Sequence, residues 1–381
     1  MRDETPRADL RLTLIVPDLL PPVAAEPVQP LMLDAFGVLV AVLPPDSGTR
    51  RRWARQWSRA LSASTAERAD TTVDAAHVGA PVSVDATDYS LTTRVTQAAL
   101  EHVGASRLSL HAAGLADAEG RVLALVAASG TGKTTAARIL GTTLGSLSDE
   151  TVSVGADLDV RPYPKPLSVV NAPDSPGHKS QHSPDELGLL RPVSTGTTLH
   201  RIVVLDRAAS HEEHGLEPLS IAEAIPLVLP QTSYMTSFEQ PLLALTHVLQ
   251  VGGGPWLLRY ADITEHVTDL HRLLTDPDDP PETFTHHPGC ETLSEGLDGS
   301  FARAPWHDAV EFEDGVVVLV DQTAYNLDHL GATVWLALDK PADPEWLVAA
   351  AEHRHGVHPD SPRLIGEAIG VLVEAGLVRR L

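Results

Sequence analysis

The sequence predicts an α/β protein with a larger central domain and a small C-terminal domain, and three observations support this. The continuous apolar run RVLALVA at 121–127 is typical of a buried strand, and the residues that follow Lys133 have the spacing of an amphipathic helix. A second apolar run, IVVLD at 202–206, predicts another buried strand. Residues 305–381 have the order hairpin, three helices and terminal strand, which indicates a small domain of the winged-helix type.

The composition of the chain limits the classes of partner that it is expected to bind. The chain has 381 residues and a formal net charge of -23, so nucleic acid and anionic membrane are not expected as partners. No run of about 18 apolar residues occurs, which argues against a membrane span. The first residues lack a secretory signal pattern, and the single cysteine, Cys290, cannot form an internal disulfide. We therefore expect a cytoplasmic protein, and the sequence leaves homo-oligomerisation open.

The N-terminal part of the chain predicts an α/β segment. The apolar run at 31–43 predicts one buried strand, and Trp53, Trp57 and Leu61 follow it at helical spacing. We expect residues 1–107 to form this segment and to pack on the central domain.

The central domain is predicted to span residues 108–274. Leu108 begins an apolar strand, a turn follows at 118–120, and the residues beyond Val170 are rich in turn formers and predict a long loop. A helical stretch from about Phe238 to Val251 precedes a last strand and helix.

Two further segments complete the domain prediction. Residues 275–304 are dense in Pro, Asp, Gly and Ser, which predicts a linker. Leu330, Val334 and Leu338 repeat at helical spacing within the C-terminal domain at 305–381.

The segment AASGTGKTT at 127–135 has the pattern of a phosphate-binding P-loop between its strand and its helix. In such a loop, backbone N–H groups surround the phosphates, the lysine neutralises their charge and the hydroxyl after it binds Mg²⁺. Ala127 replaces the first glycine of the usual pattern, which an extended backbone at that position tolerates. The residues expected to bind ATP are Ala128, Ser129, Gly130, Thr131, Gly132, Lys133, Thr134 and Thr135.

Carboxylates are needed beside such a loop to hold Mg²⁺ and to accept a proton. Asp149 and Glu150 lie 16 and 17 residues after Lys133, at a turn into a strand. Asp206 ends the apolar run at 202–206, in the manner of a metal-holding aspartate at a strand end. Together with Thr134, either Asp149 or Asp206 could hold the metal, and spacing alone leaves that choice open.

Residues 108–154, LSLHAAGLADAEGRVLALVAASGTGKTTAARILGTTLGSLSDETVSV, resemble the core of HPr kinase/phosphorylase-related proteins. That family has a histidine, a P-loop with the Ser-Gly dipeptide and an acidic pair in this order, and His111 lies 22 residues before Lys133. The segment RPYPKPLSV at 161–169 is similar to the proline-bearing segment of the family. The resemblance implies a P-loop kinase core of the HPr kinase type.

The same resemblance implies catalytic roles. Asp149 would act as base or metal ligand, Glu150 would assist it, and His111 would lie near the transferred phosphate, with Lys133 on the phosphates. Glu150 stands where the family's pair often has a second aspartate, and no segment resembles the glycine-bearing signature that binds HPr. HPr is therefore not the expected substrate.

Two stretches of the C-terminal domain, GVVVLVDQTAYNLDHLGATVWLAL and IGVLVEAGLV, resemble the PqqD-like peptide-recognition domain of ribosomal peptide biosynthesis. In that family an extended leader peptide pairs with the edge of the small sheet and lies against the last helix. By this analogy, the leader-binding surface would include Val316 to Val320 and the helix near Arg363 to Glu374.

Both resemblances together imply an ATP- and Mg²⁺-dependent kinase that holds a precursor peptide by its leader through residues 305–381. The expected acceptor is a hydroxyl in the peptide core, with serine as the expected residue. The alternatives are a nucleotide-binding peptide chaperone without kinase activity and a kinase for a small molecule such as free serine. Arg201, Arg207 and Arg259 are candidates for the arginine that stabilises the transition state.

Overall fold

The computed structural model describes residues 28–75, 83–170, 179–193, 196–208, 214–292 and 296–381. Over these residues the chain is α/β, with several sheets that include parallel and antiparallel strand pairs. Among the described helices, none has the length and apolar character that crossing a membrane requires.

The N-terminal region forms a three-stranded sheet covered by two helices. Its elements are β1 (Leu31–Ala35), β2 (Val38–Leu43), α1 (Ser47–Gln56), β3 (Thr71–Asp74) and α2 (Val84–Val103). The prediction of one strand at 31–43 is wrong, because the chain turns at Phe36 and Gly37 and β1 pairs antiparallel with β2. Gly37 has a φ of 93°, which glycine adopts readily, and its N–H donates to the Asp34 side chain. Trp53 and Trp57 are buried in the core of this region as their spacing predicts, whereas Leu61 is 42% exposed.

The central region contains a nine-stranded mixed sheet and the helices that cover it. Its elements are β4 (Leu108–Ala116), β5 (Arg121–Val126), α3 (Lys133–Leu140), β6 (Gly145–Ser148), β7 (Thr151–Val154), β8 (Val160–Arg161), β9 (Leu167–Val170), β10 (Lys179–His182), β11 (Thr198–Arg207), β12 (Gly215–Pro218), α4 (Ile221–Val228), β13 (Thr232–Ser233), α5 (Pro241–Leu249), β14 (Trp256–Tyr260) and α6 (Val267–Leu273).

The main path of this sheet runs β12-β14-β11-β5-β4-β7-β8, while β6 and β13 also pair with β4. The strands β5, β11 and β14 are parallel, so the loop after β5 leaves the sheet at the same edge as the end of β11. Successive side chains of β5 point to opposite faces of the sheet and pack in two different hydrophobic cores. Val122 and Val126 pack on the side of α4 and α5, whereas Leu123 and Leu125 pack on the side of α3 and α6.

The predicted long loop beyond Val170 contains secondary structure. Strands β9 and β10 form a separate antiparallel pair, with Val170 opposite Lys179. Residues 171–178, the centre of that predicted loop, lie outside the described part of the chain.

The C-terminal region forms a four-stranded antiparallel sheet, three helices and a two-stranded sheet. Its elements are β15 (Thr285–Cys290), β16 (Phe301–Arg303), β17 (Trp306–Glu311), β18 (Gly315–Val320), β19 (Thr323–Asp328), α7 (His329–Ala337), α8 (Pro344–His355), α9 (Ser361–Glu374) and β20 (Val378–Arg380). One face of the larger sheet, with Val316 and Val318, packs on the three helices. The other face, with Val317 and Leu319, shares a core with α5 and the central sheet.

The predicted linker at 275–304 is shorter than its composition indicates. Strand β15 pairs with β17, and β16 pairs with β20, so parts of this segment belong to the C-terminal sheets. Pro and Gly residues lowered the strand signal there, yet Pro288 lies in an edge strand, where a missing N–H is tolerated.

Candidate functional site

The predicted P-loop connects the end of β5 to the first residue of α3. Gly130 and Gly132 have φ values of 88° and 110°, a region that glycine adopts with little strain. A side chain at Gly132 would also be crowded, because its Cβ would lie 3.1 Å from the Tyr260 hydroxyl oxygen. That hydroxyl donates to the carbonyl of Thr131 at 3.0 Å and fixes the loop against β14.

Ala127, the departure from the usual pattern, fits its position. It is buried, and it is not among the described residues with a positive φ, so a methyl side chain brings no backbone strain. Its carbonyl accepts a hydrogen bond from Lys133 Nζ at 2.5 Å, and the Ala128 carbonyl accepts another at 3.0 Å. The lysine is thereby held over the loop. Burial lowers the Lys133 pKa to about 8, against the opposing effect of the two nearby acids.

The acidic pair lies at the turn between β6 and β7. Ser148 Oγ accepts from the N–H groups of Glu150 and Thr151, at 3.2 and 3.0 Å, which fixes this turn. Asp149 is buried, and its Oδ2 accepts a hydrogen bond from Thr134 Oγ1 at 3.3 Å. The first carboxylate predicted from the sequence therefore meets the hydroxyl that follows the loop lysine.

A buried lysine, Lys165, lies between the two acids, and its site role is not predicted from the sequence. Its Nζ is 3.1 Å from Asp149 Oδ1 and 3.1 Å from Glu150 Oε2. One signal for this role was present in the sequence, where Lys165 stands between two prolines in a largely apolar segment. A lysine that is buried in such a segment requires a partner of opposite charge.

These contacts shift the ionisation of the group. Burial raises the pKa of Asp149, and the adjacent Lys165 opposes that effect. Burial also acts to raise the pKa of Glu150, but Lys165 and the other cations outweigh it and lower the value. For Lys165, burial acts to lower the pKa, and the two carboxylates outweigh it and raise the value. The lysine is therefore charged, and Glu150 is ionised at neutral pH.

His111 projects from β4 beside this pair, in the register position opposite Thr151 of β7. Burial, followed by the charge of Lys133, lowers the pKa of His111, so the imidazole is neutral at pH 7. A neutral ring can donate or accept a hydrogen bond without adding charge to the site.

One cavity of about 440 Å³ brings most of the predicted residues together. Its walls come from the loop, the acidic turn, β9, β10 and the ends of α2 and β11. The residues that line it are Tyr89, His111, Ser129, Gly130, Gly132, Lys133, Thr134, Thr135, Arg138, Asp149, Glu150, Lys165, Ser168, Val169, Val170, Lys179 and Arg207. The Ala128 carbonyl instead accepts a hydrogen bond from Lys133, and the Thr131 carbonyl accepts one from Tyr260 of β14.

The alternative acid and the candidate arginines have different surroundings. Asp206 is the penultimate residue of β11 and lies opposite Arg259 of β14, and it is not among the described residues that line the cavity. Arg201 is buried and bonds to the carbonyl of Leu273 and to Asp278, which is a structural role. Arg259 forms an ion pair with Glu217. Of the three arginines, Arg207 alone lines the cavity, near Gly132.

The oxygen atoms that the protein offers here suit a Mg²⁺ ion bound together with a triphosphate. They suit a metal ion held by protein side chains alone less well. The described residues contain no group of three or more His, Cys, Asp or Glu side chains that could hold a metal. Mg²⁺ commonly takes one or two protein oxygens and completes its shell with phosphates and water. Asp149 Oδ1 is buried without a well-directed hydrogen bond, although it contacts Lys165, and the Thr134 hydroxyl is adjacent. These two residues could hold the ion.

The predicted leader-binding surface requires a correction in the C-terminal sheet. Strand β18, which contains Val316 to Val320, pairs with β17 on one side and β19 on the other. Its backbone groups are therefore used, and it cannot accept a further strand. Among the described strands, β19 pairs with β18 alone, so its other edge has no strand partner, and α4 packs beside β19. The helix part of the prediction is accessible, since Val371 and Val373 of α9 are 64% and 39% exposed.

Comparison with known proteins adds no family to these observations. No protein-family model matches the chain, and no curated protein is significantly similar to it in sequence.

Proposed function

We propose that this chain is an ATP-dependent kinase that transfers a phosphoryl group to a hydroxyl of a ribosomally made peptide. The observation that carries the proposal is the contact of Thr134 with Asp149 inside one cavity that also contains Lys133 and His111. This combination gives cations for phosphates, oxygens for Mg²⁺ and a carboxylate for a proton.

The residues divide the work by their positions. The glycine-rich loop and Lys133 bind and orient the phosphates, while Thr134 and Asp149 hold Mg²⁺. Bound ATP with Mg²⁺ supplies the phosphoryl group and neutralises the charge that develops during its transfer. The acceptor hydroxyl loses its proton to the acidic pair, and its oxygen forms the new P–O bond as the bond to the leaving ADP breaks.

We further propose that the C-terminal region binds the leader peptide at the edge of β19 that has no strand partner and against α9. Strand addition to an edge gives affinity through main-chain hydrogen bonds and tolerates varied side chains. A binding site joined to the kinase raises the concentration of the acceptor hydroxyl at the active site. We place this reaction in the cytoplasm, where precursor peptides and ATP are available.

Phosphate transfer from γ-labelled ATP tests the proposal. The protein is incubated with ATP, Mg²⁺ and a short precursor peptide, chosen by a search for short reading frames beside its gene, and the peptide is weighed by mass spectrometry. We expect a mass gain of one phosphate, lost in Lys133→Met. Nucleotide binding without transfer would favour the chaperone alternative, and transfer to free serine but not to the peptide would favour a small-molecule kinase.

A further inference from the structure

Lysine is rare in this chain, and its distribution is uneven. The sequence has four lysines among 28 basic residues, the others being arginine. Three of the four, Lys133, Lys165 and Lys179, line the single cavity described above, and the fourth, Lys340, is exposed on the C-terminal region. Arginine and lysine differ in size and hydrogen-bond geometry, so a compact cation at these positions indicates a specific requirement.

Lys165 has a different environment from the loop lysine. Lys133 directs its ammonium to the carbonyls of the loop, whereas Lys165 contacts both carboxylates at 3.1 Å. Lys165 is 3% exposed and Asp149 is 6% exposed, so water screens this group poorly. Lys165 is therefore the counter-ion of the buried Asp149 and of Glu150, whose side chain is 41% exposed.

The backbone on both sides of Lys165 is held in a defined conformation. Proline on each side fixes φ at residues 164 and 166. The N–H of Tyr163 donates to the carbonyl of Leu147 in β6 at 2.9 Å, and the N–H of Lys165 donates to the Tyr163 carbonyl at 2.9 Å. The lysine segment is thus bonded to the strand that leads into the acidic turn.

The N-terminal region completes this support. Tyr163 is fully buried, and its ring centroid lies 5.2 Å from that of Phe36 and 6.3 Å from that of Trp57. Its hydroxyl lies 2.8 Å from the Thr96 hydroxyl of α2. The turn after β1, the residue that follows α1 and helix α2 therefore each contribute a side chain that packs against the segment that carries the lysine.

We propose that Lys165 is a positioning residue that holds Asp149 and Glu150 in their working orientation. The inference rests on the proposed kinase function. Lys165 Nζ lies 3.1 Å from both carboxylates, so it acts through them. Replacement of Lys165 should therefore lower the turnover number more than the affinity for nucleotide, because nucleotide binding depends on the glycine-rich loop.

Stability measurements test the counter-ion role without any enzymatic activity. Lys165→Met removes the charge and keeps most of the side-chain volume, and Lys340→Met is the matched exposed control. We expect Lys165→Met to lower Tm by several degrees in the wild-type background, because it leaves two acids without a buried partner. In a background with Asp149→Asn and Glu150→Gln, the same substitution should lower Tm by less than half as much or raise it. Equal losses in both backgrounds would overturn the counter-ion role.

Steady-state kinetics test the positioning role. We expect Lys165→Met to lower kcat by about a hundredfold, since a misplaced catalytic group costs that order of magnitude, and to change KM for ATP by less than about threefold. Lys340→Met should leave both values unchanged. A kcat close to that of the wild type would refute the positioning role. If the wild-type protein transfers phosphate to neither peptide nor serine, the proposed function and the catalytic role of Lys165 both fail, while the Tm result still decides the counter-ion role.

Discussion

Replacing Asp308 tests how the C-terminal sheet is fixed to the central region. This aspartate of β17 is fully buried, and its Oδ2 accepts hydrogen bonds from the N–H groups of Leu242 at 2.6 Å and Leu243 at 3.2 Å. Both belong to the first turn of α5, whose N-cap residue, Gln240, makes no side-chain capping bond. Asp308 Oδ1 also lies 2.6 Å from Nε2 of His286. The Asp308 carboxylate of the C-terminal region therefore caps helix α5 of the central region.

The size of the effect follows from these bonds. Loss of a helix cap costs about 1 kcal/mol. Loss of a buried bond between a charged carboxylate and His286 costs about 2 kcal/mol more. We therefore expect Asp308→Ala to lower the free energy of unfolding by about 3 kcal/mol. Asp308→Asn keeps one acceptor oxygen and should lose roughly half as much.

Urea unfolding followed by circular dichroism and tryptophan fluorescence measures this loss. Glu313→Ala, an exposed acid at the next turn of the same sheet, is the control, and a surface change of this kind costs less than about 0.5 kcal/mol. If Asp308→Ala were no more destabilising than the control, the carboxylate would not cap α5 and the reasoning would be refuted.

Three further predictions concern the active site and the peptide surface. Asp149→Asn should lower phosphate transfer by about a thousandfold and Asp206→Asn by less than about threefold in the same radiometric assay, and the reverse order would place the metal at Asp206. Arg207→Ala should lower kcat by at least about tenfold with little change in the affinity for ATP, measured by calorimetry, if this arginine stabilises the transition state; an unchanged kcat contradicts that role. Val371→Glu on α9 should weaken binding of a fluorescent leader peptide by at least about tenfold, because it puts a charge on an apolar contact, whereas Val357→Glu, also exposed but outside α9, should not. Equal affinities in the two variants would move the peptide surface away from α9.

Sequence patterns predicted the parts of the fold that depend on neighbouring residues. The strand, loop and helix around residues 121–140 are present, and the three helices and the terminal strand after residue 305 agree with the prediction, although three strands precede them where a two-stranded hairpin was predicted. Hydrophobic runs and glycine positions act over a few residues, so they are visible in the sequence. The hairpin at Phe36 and Gly37 was missed because continuous hydrophobicity hid the turn. Strand β15 was missed because its Pro and Gly residues are typical of a linker.

The sequence by itself determined that a glycine-rich loop with Lys133 and Thr134 follows a buried strand, because these residues are contiguous. Only the tertiary structure decided that Asp149 meets Thr134, that Lys165 lies between the two acids and that Asp308 caps α5. The physical reason is that these contacts join groups far apart along the chain. Strand order and helix packing, which no local pattern encodes, determine which of the chain's many acids lie beside which cation or N–H group.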